Sequence, residues 1–269
     1  MQKQQLNGKV VWITGASAGL GEALAIECAK HGATLVLSAR REAALQQVAM
    51  RCQLINGQQH HVLAFDITDT AAGQAAYFKL LAVAGRVDWL INNAGVSQRA
   101  LVLDTLPEVD RQIMELDYFA PVNLTRQVLP DLLARRAGRL VYISSVAGLV
   151  GTQYRASYAA AKAAIHLWAN SLRAEVADQG VQVSVIFPGF VNTDVSVNAL
   201  VGDGTALGSM DEAQANAMAA DAFAEQAIAG LLAGQDYLVI GGAKERFATL
   251  LGRVSPSLLY RVVRRSKVR

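Results

Sequence analysis

Short, mostly apolar runs alternate along the chain with longer stretches in which apolar residues recur at helical spacing. A short apolar run bounded by glycine or polar residues is the pattern of a strand buried on both faces. The first such run ends at Gly15, directly before the first helical stretch. The predicted strands cover 9–14, 33–38, 61–66, 87–91, 139–144, 181–187 and 236–240. The predicted helices cover about 20–31, 41–55, 69–83, 107–135, 153–178 and 211–233.

Strands that alternate with helices predict a parallel sheet covered by helices on both faces. The fold class is therefore α/β, a single doubly wound, Rossmann-like domain with about seven strands. We expect this domain to cover 1–243 and a helical extension to cover 244–269, with two short helices separated around Ser255 and Pro256. Residues 189–210 (the flap) contain four glycines and are predicted to form a mobile segment over a site.

Composition excludes several classes of protein. With 52% apolar and 17% charged residues, the chain is neither disordered nor fibrous. No run approaches the roughly 18 consecutive apolar residues of a membrane span, and the first residues lack an apolar signal region. Two cysteines, Cys28 and Cys52, are too few for a disulfide framework and have no metal-ligand spacing. We therefore expect a cytoplasmic protein with reduced thiols and no metal site.

Charge is spread unevenly, although the net value is only +3. From Lys244 to the end, eight basic residues stand against the single acid Glu245, whereas residues 1–243 carry a net charge of −4. A surface for nucleic acid normally spreads basic and aromatic residues over one folded face. No such interleaving is present in the sequence, so we expect no nucleic-acid partner.

The segment 256–269 has the pattern of an amphipathic helix, beginning with a proline that suits a first helical turn. This pattern predicts weak, peripheral contact with an anionic membrane. In the alternative, the apolar stripe packs on the domain or on a partner subunit and the charges face water. The stripe consists of Leu258, Leu259, Val262 and Val263, opposite Arg261, Arg264, Arg265 and Lys267.

Glycines mark the turn between the first predicted strand and the first predicted helix. The run TGASAGLG (14–21) spaces them four and two residues apart. Such a turn lets the backbone approach a pyrophosphate, and the following helix offers free N–H groups and the positive end of its dipole. Tight turns need glycine anyway, but this position is the one expected for a dinucleotide fingerprint. The candidate nucleotide-binding residues are Gly15, Ser17, Ala18, Gly19, Leu20 and Gly21.

The end of the second strand indicates which dinucleotide binds. An acidic residue there would accept hydrogen bonds from a free 2′-hydroxyl and repel a 2′-phosphate. The chain instead has Ala39 followed by Arg40, whose planar guanidinium suits a phosphate. NADP(H) is therefore favoured over NAD, the alternative being that Arg40 and Arg41 are a solvated arginine pair at a helix start. Further candidates beside the nucleotide follow the third and fourth strands: Asp66, Ile67, Asn93, Ala94 and Gly95.

Tyr158 and Lys162 are four residues apart in a predicted helix, which stacks their side chains on one face. A phenol ionises near pH 10, about three units above neutrality, so it needs an adjacent ammonium that favours the phenolate. Ser144 and Ser145 end the fifth strand, where a hydroxyl can hold a carbonyl oxygen. Tyr/Lys pairs are common on helices, so the assignment depends on its combination with the glycine turn.

With these motifs in this order, the sequence resembles the short-chain dehydrogenase/reductases over residues 7–243. The matching segments are TGASAGLG (14–21), NNAG (92–95), a serine thirteen residues before the tyrosine, YAAAK (158–162) and PGFVNTD (188–194). The resemblance implies that Tyr158 is the general acid/base, that Lys162 assists it and binds the nicotinamide ribose, and that Ser145 orients the substrate carbonyl. Further cofactor contacts are implied for Pro188, Gly189, Val191 and Thr193, the last to the nicotinamide carboxamide. The LSAR segment (37–40) resembles NADP-dependent, hydroxysteroid dehydrogenase-like members.

One position departs from the family pattern. The family usually has an asparagine in its long fourth helix, where it holds a water of the proton relay, and Asp117 aligns with that position. Asp117 is therefore a fourth catalytic candidate. A carboxylate there could hold the water and stabilise the charged form of Lys162, or change the pH dependence of the relay.

The predicted activity is reversible hydride transfer between NADP(H) and a carbonyl or secondary alcohol. Apolar residues in the flap suggest a lipid, steroid-like or aromatic ketone, although they could equally pack the flap shut. A non-catalytic, NADP-sensing protein on the same fold is the alternative. A third possibility is an epimerase or dehydratase, but such enzymes usually have an extended substrate domain, which is not expected from this sequence. The helices 107–135 and 153–178 resemble the dimer-forming pair of the family, so we expect a homodimer or homotetramer.

Overall fold

A parallel, seven-stranded sheet forms the centre of the protein in the computed structural model, which describes residues 5–264. The strands are β1 (Val10–Thr14), β2 (Thr34–Ala39), β3 (His61–Ala64), β4 (Trp89–Asn92), β5 (Gly138–Ile143), β6 (Val181–Pro188), β7 (Val191–Asn192), β8 (Met218–Ala219) and β9 (Tyr237–Ile240). Their order in the sheet is β3-β2-β1-β4-β5-β6-β9, and β7 and β8 form a separate parallel pair.

Helices cover both faces of this sheet. They are α1 (Gly19–Lys30), α2 (Glu42–Asn56), α3 (Thr70–Ala84), α4 (Pro107–Met114), α5 (Ala120–Arg135), α6 (Ala156–Glu175), α7 (Glu212–Ala215), α8 (Ala220–Leu232), α9 (Ala243–Val254) and α10 (Pro256–Val263). Apolar side chains of α1, α2 and α8 pack in one core cluster, and those of α3, α5 and α6 pack in the other. The predicted doubly wound, Rossmann-like α/β fold with a helical C-terminal region is therefore confirmed.

Strand β1 shows why the central strands read as continuous apolar runs. Val11 and Ile13 belong to the core cluster on one face, and Val10 and Trp12 belong to the cluster on the other. The indole N–H of Trp12 donates to Ser38 Oγ at 2.9 Å, so its one polar atom is satisfied inside the core. Full burial of each such apolar side chain contributes about 1.5–3 kcal/mol.

Two predicted helices are interrupted. The stretch 107–135 forms α4 and α5 joined by a π-helical turn over Glu115–Phe119, a distortion common at functional sites. The stretch 211–233 forms α7, the strand β8 and α8. In this stretch β8 pairs with β7 instead of continuing the helix. The Gln214 amide of α7 donates to the Val191 carbonyl of β7 at 2.7 Å. Tertiary contacts override local propensity there.

The flap is tied to the loop after β4 by backbone hydrogen bonds. Leu200 N–H donates to the Ser97 carbonyl at 2.9 Å, and Arg99 N–H donates to the Leu200 carbonyl at 2.8 Å. Nearer its end, the Gly202 carbonyl accepts from Leu106 N–H at 2.9 Å. The flap thus lies over the edge of the sheet where the strands end.

Helices α9 and α10 meet at Ser255, as the sequence predicted. Leu259 is 4% exposed, and one of its methyl carbons lies 3.1 Å from where a side chain would begin at Gly252. The predicted basic residues Arg265, Lys267 and Arg269 lie outside the described residues. Within residues 5–264, no helix is both long and apolar enough to cross a bilayer.

Candidate active site

The turn after β1 has the backbone geometry of a close-approach loop. Gly15 and Gly19 have φ angles of +65° and +59°, which a side chain would strain. A Cβ at Gly21 would lie 2.2 Å from the Gly15 carbonyl oxygen, so the first turn of α1 presses directly against the loop. No side chain in the described part of the chain caps that first turn. Its free N–H groups suit a phosphate.

Hydrogen bonds join this turn to the loop after β4, its neighbour in the sheet. Thr14 Oγ1 accepts from the backbone N–H groups of Asn93 and Ala94 at 3.0 and 3.1 Å. The Asn93 amide donates to the Thr14 carbonyl at 3.0 Å. β1 and β4 flank the point where the strand order reverses, which is where open α/β sheets bind ligands.

A cavity of about 240 Å³ (the inner cavity) opens along this edge. It is lined by thirteen of the eighteen residues predicted to bind the cofactor. These are Gly15, Ala18, Gly19, Leu20, Asn93, Ala94, Gly95, Tyr158, Lys162, Pro188, Gly189, Val191 and Thr193. Thr193 Cβ lies 3.4 Å from the Cβ position of Gly19, so the flap approaches the glycine turn across the cavity. The glycine turn, the uncapped helix start and the cavity fit an elongated, phosphate-bearing group.

The other five predicted residues are not among those that line this cavity. Gly21 serves the close packing of α1, and Ile67 packs against a core cluster. Ser17 Oγ accepts from the guanidinium of Arg41 at 3.2 Å. Arg40 is exposed at the end of β2, and Asp66 is exposed just beyond β3.

Asp66 has a local hydrogen-bond pattern. Its Oδ1 accepts from the backbone N–H and the hydroxyl of Thr68, and these bonds, with help from Arg40, hold the pKa of the carboxyl below its usual range. Asp66 is therefore a fixed anion beside the end of β2. The sequence did not single out Arg41, which shares that end.

Lys162 is buried on α6 and points at the ends of β4 and β5. Its ammonium donates to the Ile143 carbonyl at 3.1 Å and lies 3.3 Å from Asp117 Oδ2. Asp117 stands in the π-helical turn, and its Oδ1 accepts from Val96 N–H at 2.8 Å. Burial raises the pKa of the Asp117 carboxyl, and Lys162 and the Val96 N–H oppose that rise. The lysine and the aspartate thus form a buried ion pair behind the inner cavity.

The two serines after β5 have different environments. Ser144 is buried, and its hydroxyl donates to the Lys162 carbonyl at 2.8 Å. Both serines line the inner cavity, but Ser145 is only partly buried, and its Oγ accepts from Ala147 N–H at 3.1 Å. Ser144 therefore holds α6 against β5, whereas Ser145 is the hydroxyl that a ligand can reach.

Gln98 positions Tyr158. It is completely buried, and its Oε1 accepts from the backbone N–H groups of Ser157 and Tyr158 at 2.9 and 3.4 Å. It thereby provides an acceptor for the free N–H groups at the start of α6, which the N-cap residue Arg155 does not cap. Sequence reasoning missed Gln98, although a polar residue just after a strand of this sheet is a recognisable signal.

A second cavity of about 760 Å³ (the outer cavity) adjoins the inner one at Ser145 and Tyr158. The flap and the helices α9 and α10 contribute to its wall. Two arginines that the sequence analysis did not select, Arg99 and Arg155, also line it. Arg99 closely follows the NNAG motif and Arg155 closely precedes the YAAAK motif, which is the only signal that the sequence offered for them.

This arrangement can exchange a proton with a ligand oxygen. Tyr158 carries the exchangeable proton at the boundary of the two cavities, and Lys162 lies one helical turn away with its ammonium 5.8 Å from the centre of the phenol ring. Ser145 adds a hydroxyl on the same boundary. A phenol, an ammonium and a hydroxyl so placed suit acid/base chemistry at a carbonyl or alcohol.

Comparisons with known proteins agree with this geometry. Residues 9–201 match the family model for short chain dehydrogenase. The chain is 37% identical over 270 residues to a Drosophila melanogaster protein named Dehydrogenase/reductase SDR family protein 7-like, covering 99% of this chain and 83% of that protein.

Two solved structures share the architecture. A short-chain dehydrogenase/reductase from Burkholderia phymatum, in complex with NAD, has a TM-score of 0.83 at 22% identity, over 94% of this chain and 96% of that chain. A metagenomic short-chain oxidoreductase, in complex with NADP, has a TM-score of 0.73 at 27% identity, over 88% and 98%. The match of the family model over most of the chain, together with the closely similar relative, shows that the protein belongs to the short-chain dehydrogenase/reductase family of oxidoreductases.

Proposed function

We propose that the protein is an NADP(H)-dependent oxidoreductase that interconverts a carbonyl compound and a secondary alcohol. The observation that carries the proposal is the position of Tyr158, at the boundary between the inner and outer cavities and one helical turn from the buried Lys162. A cofactor in the inner cavity and a substrate in the outer cavity would both reach the phenol.

The chain's own residues handle the proton and the orientation of the substrate. In reduction, the Tyr158 hydroxyl gives its proton to the carbonyl oxygen, and in oxidation the phenolate takes the proton from the alcohol. The Ser145 hydroxyl holds that oxygen, and the positive charge of Lys162 favours the phenolate between these steps. When bound, the nicotinamide supplies or accepts the hydride.

NADP(H) is the cofactor that the end of β2 favours. Arg40 is exposed there, follows the small Ala39, and has a guanidinium suited to a phosphate. The two solved neighbours contain NAD in one case and NADP in the other, so the fold accommodates either. The preference therefore depends on Arg40 together with the lack of an acid at position 39.

The outer cavity supports an apolar substrate. Much of its wall is made of apolar side chains from the loop after β5, the flap and the C-terminal helices. Examples are Val146, Val150, Phe190, Phe247, Leu251 and Leu259. A cavity of about 760 Å³ accommodates a drug-sized or lipid-like molecule.

Turnover of a carbonyl panel tests the proposal. Aliphatic, aromatic and steroid-like ketones and the matching alcohols would be followed by nicotinamide absorbance with each of the two cofactors. We expect measurable turnover that is faster with NADP(H) and with apolar compounds. Cofactor binding without turnover of any compound would instead indicate a cofactor-sensing protein.

We further propose self-association through α4, α5 and α6. Phe119, at the start of α5, is 46% exposed, and Leu167, on α6, is 64% exposed. Such apolar residues on long helices are suited to a subunit interface. Light scattering on the purified protein should give a mass of two or four chains, and a monomer at all concentrations would refute this.

A further inference from the structure

A buried, unsatisfied arginine lies in the wall of the outer cavity. Arg155 is 7% exposed, and its Nε and Nη2 atoms have no hydrogen-bond partner among residues 5–264. The hydroxyl of Thr152, three residues earlier in the same wall, is likewise buried without a partner. Buried polar groups are nearly always hydrogen-bonded, so unpartnered donors that line one cavity are suited to a polar or anionic ligand there.

Among the described residues, the acid within ion-pair distance of Arg155 is Asp211, which another arginine already binds. Asp211 Oδ2 accepts from Arg99 Nε and Nη2 at 2.7 and 2.5 Å, whereas Arg155 Nη2 lies 3.7 Å from the same oxygen. The remaining Arg99 nitrogen, Nη1, donates to Ser97 Oγ and to the Gln98 carbonyl. Two buried guanidinium groups therefore share one carboxylate, and the excess positive charge is on Arg155.

The remaining charges on the outer cavity do not cancel this excess. Its wall also carries Lys244 and Glu245, one of each sign, which follow β9 at the start of α9. Burial lowers the pKa of Arg155 to about 10, and Arg99 adds to the lowering while Tyr158 and Asp211 oppose it. Arg155 thus remains protonated at neutral pH. Leaving a buried charge without a partner costs several kcal/mol, which water relieves only in part.

Arg155 lies near Tyr158 in the wall of the outer cavity. Tyr154 has a φ of +66°, an uncommon conformation for a residue with a side chain, and its carbonyl accepts from Ala100 N–H at 3.1 Å. Arg155 is the N-cap residue of α6, Tyr158 is three residues further on, and both side chains line the outer cavity. The Arg155 guanidinium lies 5.0 Å from the ring centre of Phe190, which lines the same cavity.

We propose that the substrate carries an anionic group, a carboxylate or a phosphate, that binds to Arg155 while its carbonyl lies at Tyr158. This inference depends on the proposed function, because it names the class of carbonyl compound that the same site reduces. The apolar part of the substrate then lies along the C-terminal helices. Arg99 binds Asp211 and so leaves Arg155 open to the anion, and Thr152 adds a hydroxyl in the same wall.

Binding of compounds that cannot be reduced tests the inference without turnover. Decanoate and decyl phosphate would be compared with methyl decanoate and decyl methyl ether, none of which can donate or accept a hydride, by calorimetry with NADP+ saturating so that the probes cannot occupy the phosphate site of the cofactor. We expect at least one anion to bind tenfold to a hundredfold more tightly than its neutral analogue, which is the range of a charge-assisted contact. The two anions distinguish a carboxylate site from a phosphate site.

Three variants identify the responsible residue. Arg155→Met should abolish the preference for the anion, whereas Arg111→Met, which removes a 76% exposed arginine elsewhere, should retain it. Asp211→Asn should increase the affinity for the anion, because it removes the competing carboxylate. A purely structural arginine would give no such increase, so this variant stays informative even if Arg155→Met folds poorly.

Turnover of matched ketones separates the inference from the proposed function. We expect kcat/KM for 4-oxodecanoate to exceed that for methyl 4-oxodecanoate at least tenfold, with the loss in Arg155→Met appearing in KM. Turnover of the ester with no preference for acids, and no anion binding in the calorimeter, would overturn the inference and leave the proposed function intact. Anion binding at Arg155 with no turnover of any carbonyl would overturn the proposed function alone.

Discussion

The ammonium of Lys162 lies 3.3 Å from the carboxylate of Asp117, and both side chains are almost completely shielded from water. Where the family pattern has a neutral amide, this protein has an ionisable group in contact with the lysine. An ion pair away from solvent interacts more strongly than one at the surface. The electrostatic environment of Lys162 therefore depends on the protonation state of Asp117, and so does any assistance that Lys162 gives to Tyr158.

Replacing Asp117 by asparagine should retain turnover and change its pH profile. Burial raises the pKa of the Asp117 carboxyl, so in the unmodified protein it becomes protonated as the pH falls through that raised value. We expect an acidic limb in the pH dependence of kcat that is missing from Asp117→Asn. Unchanged rates in Asp117→Ala across the pH range would show that the residue has no catalytic part.

The pH dependence of the free energy of unfolding measures the protonation of Asp117 independently of turnover. A carboxyl whose pKa is higher in the folded than in the unfolded state binds its proton more tightly when folded, so ionisation reduces stability. The free energy of unfolding of the unmodified protein, relative to Asp117→Asn, should therefore fall as the pH rises from the usual aspartate range through the raised value. Urea unfolding at several pH values measures this difference.

Tyr158→Phe should abolish turnover and leave cofactor binding nearly intact, since it deletes the transferable proton and little else. Lys162→Ala should impair both, because Lys162 lines the inner cavity and also holds the Ile143 carbonyl and Asp117. Turnover by nicotinamide absorbance and affinity by nicotinamide fluorescence separate the two effects. If Tyr158→Phe kept a substantial part of kcat, the proton would have to come from another group.

Arg40→Ala should weaken binding of NADPH and leave binding of NADH unchanged. The lost contact with the 2′-phosphate corresponds to roughly 1.5–3 kcal/mol, or about one to two powers of ten in affinity. Arg51→Ala is the matched control, since it removes an exposed arginine further along α2. Equal affinity of the unmodified protein for both cofactors contradicts the assignment.

Gly95→Ala should impair catalysis while the protein remains folded. An added Cβ would lie 2.9 Å from Asp117 Oδ1 and 3.0 Å from Lys162 Nζ, so the ion pair would have to move. Overpacking of this kind costs about 1–3 kcal/mol, and we expect kcat to fall about tenfold or more. Gly151→Ala, where a Cβ meets nothing within 4 Å, is the control and should behave like the unmodified protein. Equal kcat in both variants would show that the pair tolerates displacement.

Local patterns account for the part of this structure that the sequence predicted. Each sheet strand is a short run of apolar residues, and the glycine turn follows from residues that are adjacent in the chain. Lys162 follows Tyr158 by one helical turn, so their proximity is also a local property. These features depend on contacts of short sequence separation.

The remaining features depend on contacts between distant positions. Gln98 reaches the start of α6 about 60 residues later, and Arg99 binds Asp211 across 112 residues. No periodicity connects such pairs, so the buried positive charge at Arg155 becomes visible only in the folded chain. The π-helical turn around Asp117 is similar, because its residues have an ordinary helical pattern and only the backbone bonding reveals the widened turn.

Helix α10 has two predicted roles, as part of the wall of the outer cavity and as part of a contact with an anionic membrane. Two separate truncations distinguish them. Leu259, Val262 and Val263 line the outer cavity, although Leu258 and Val262 are each 47% exposed. A chain ending at Gly252 lacks this wall, whereas a chain ending at Arg264 keeps it and lacks only the basic residues beyond.

We expect the chain ending at Gly252 to have a KM about tenfold higher for a long apolar ketone and nearly unchanged kinetics for a small one. Roughly 50 Å² of lost apolar contact, at about 25 cal/mol per Å², corresponds to about a factor of ten in affinity.

The chain ending at Arg264 should have the kinetics of the full chain but bind less to anionic vesicles at low salt, because each basic residue near an anionic surface contributes about 1 kcal/mol. Sedimentation with anionic and neutral vesicles measures this second effect. If the full chain shows no preference for anionic vesicles at low salt, the membrane contact is refuted; if the chain ending at Gly252 keeps its KM for the apolar ketone, α10 is not part of the substrate site.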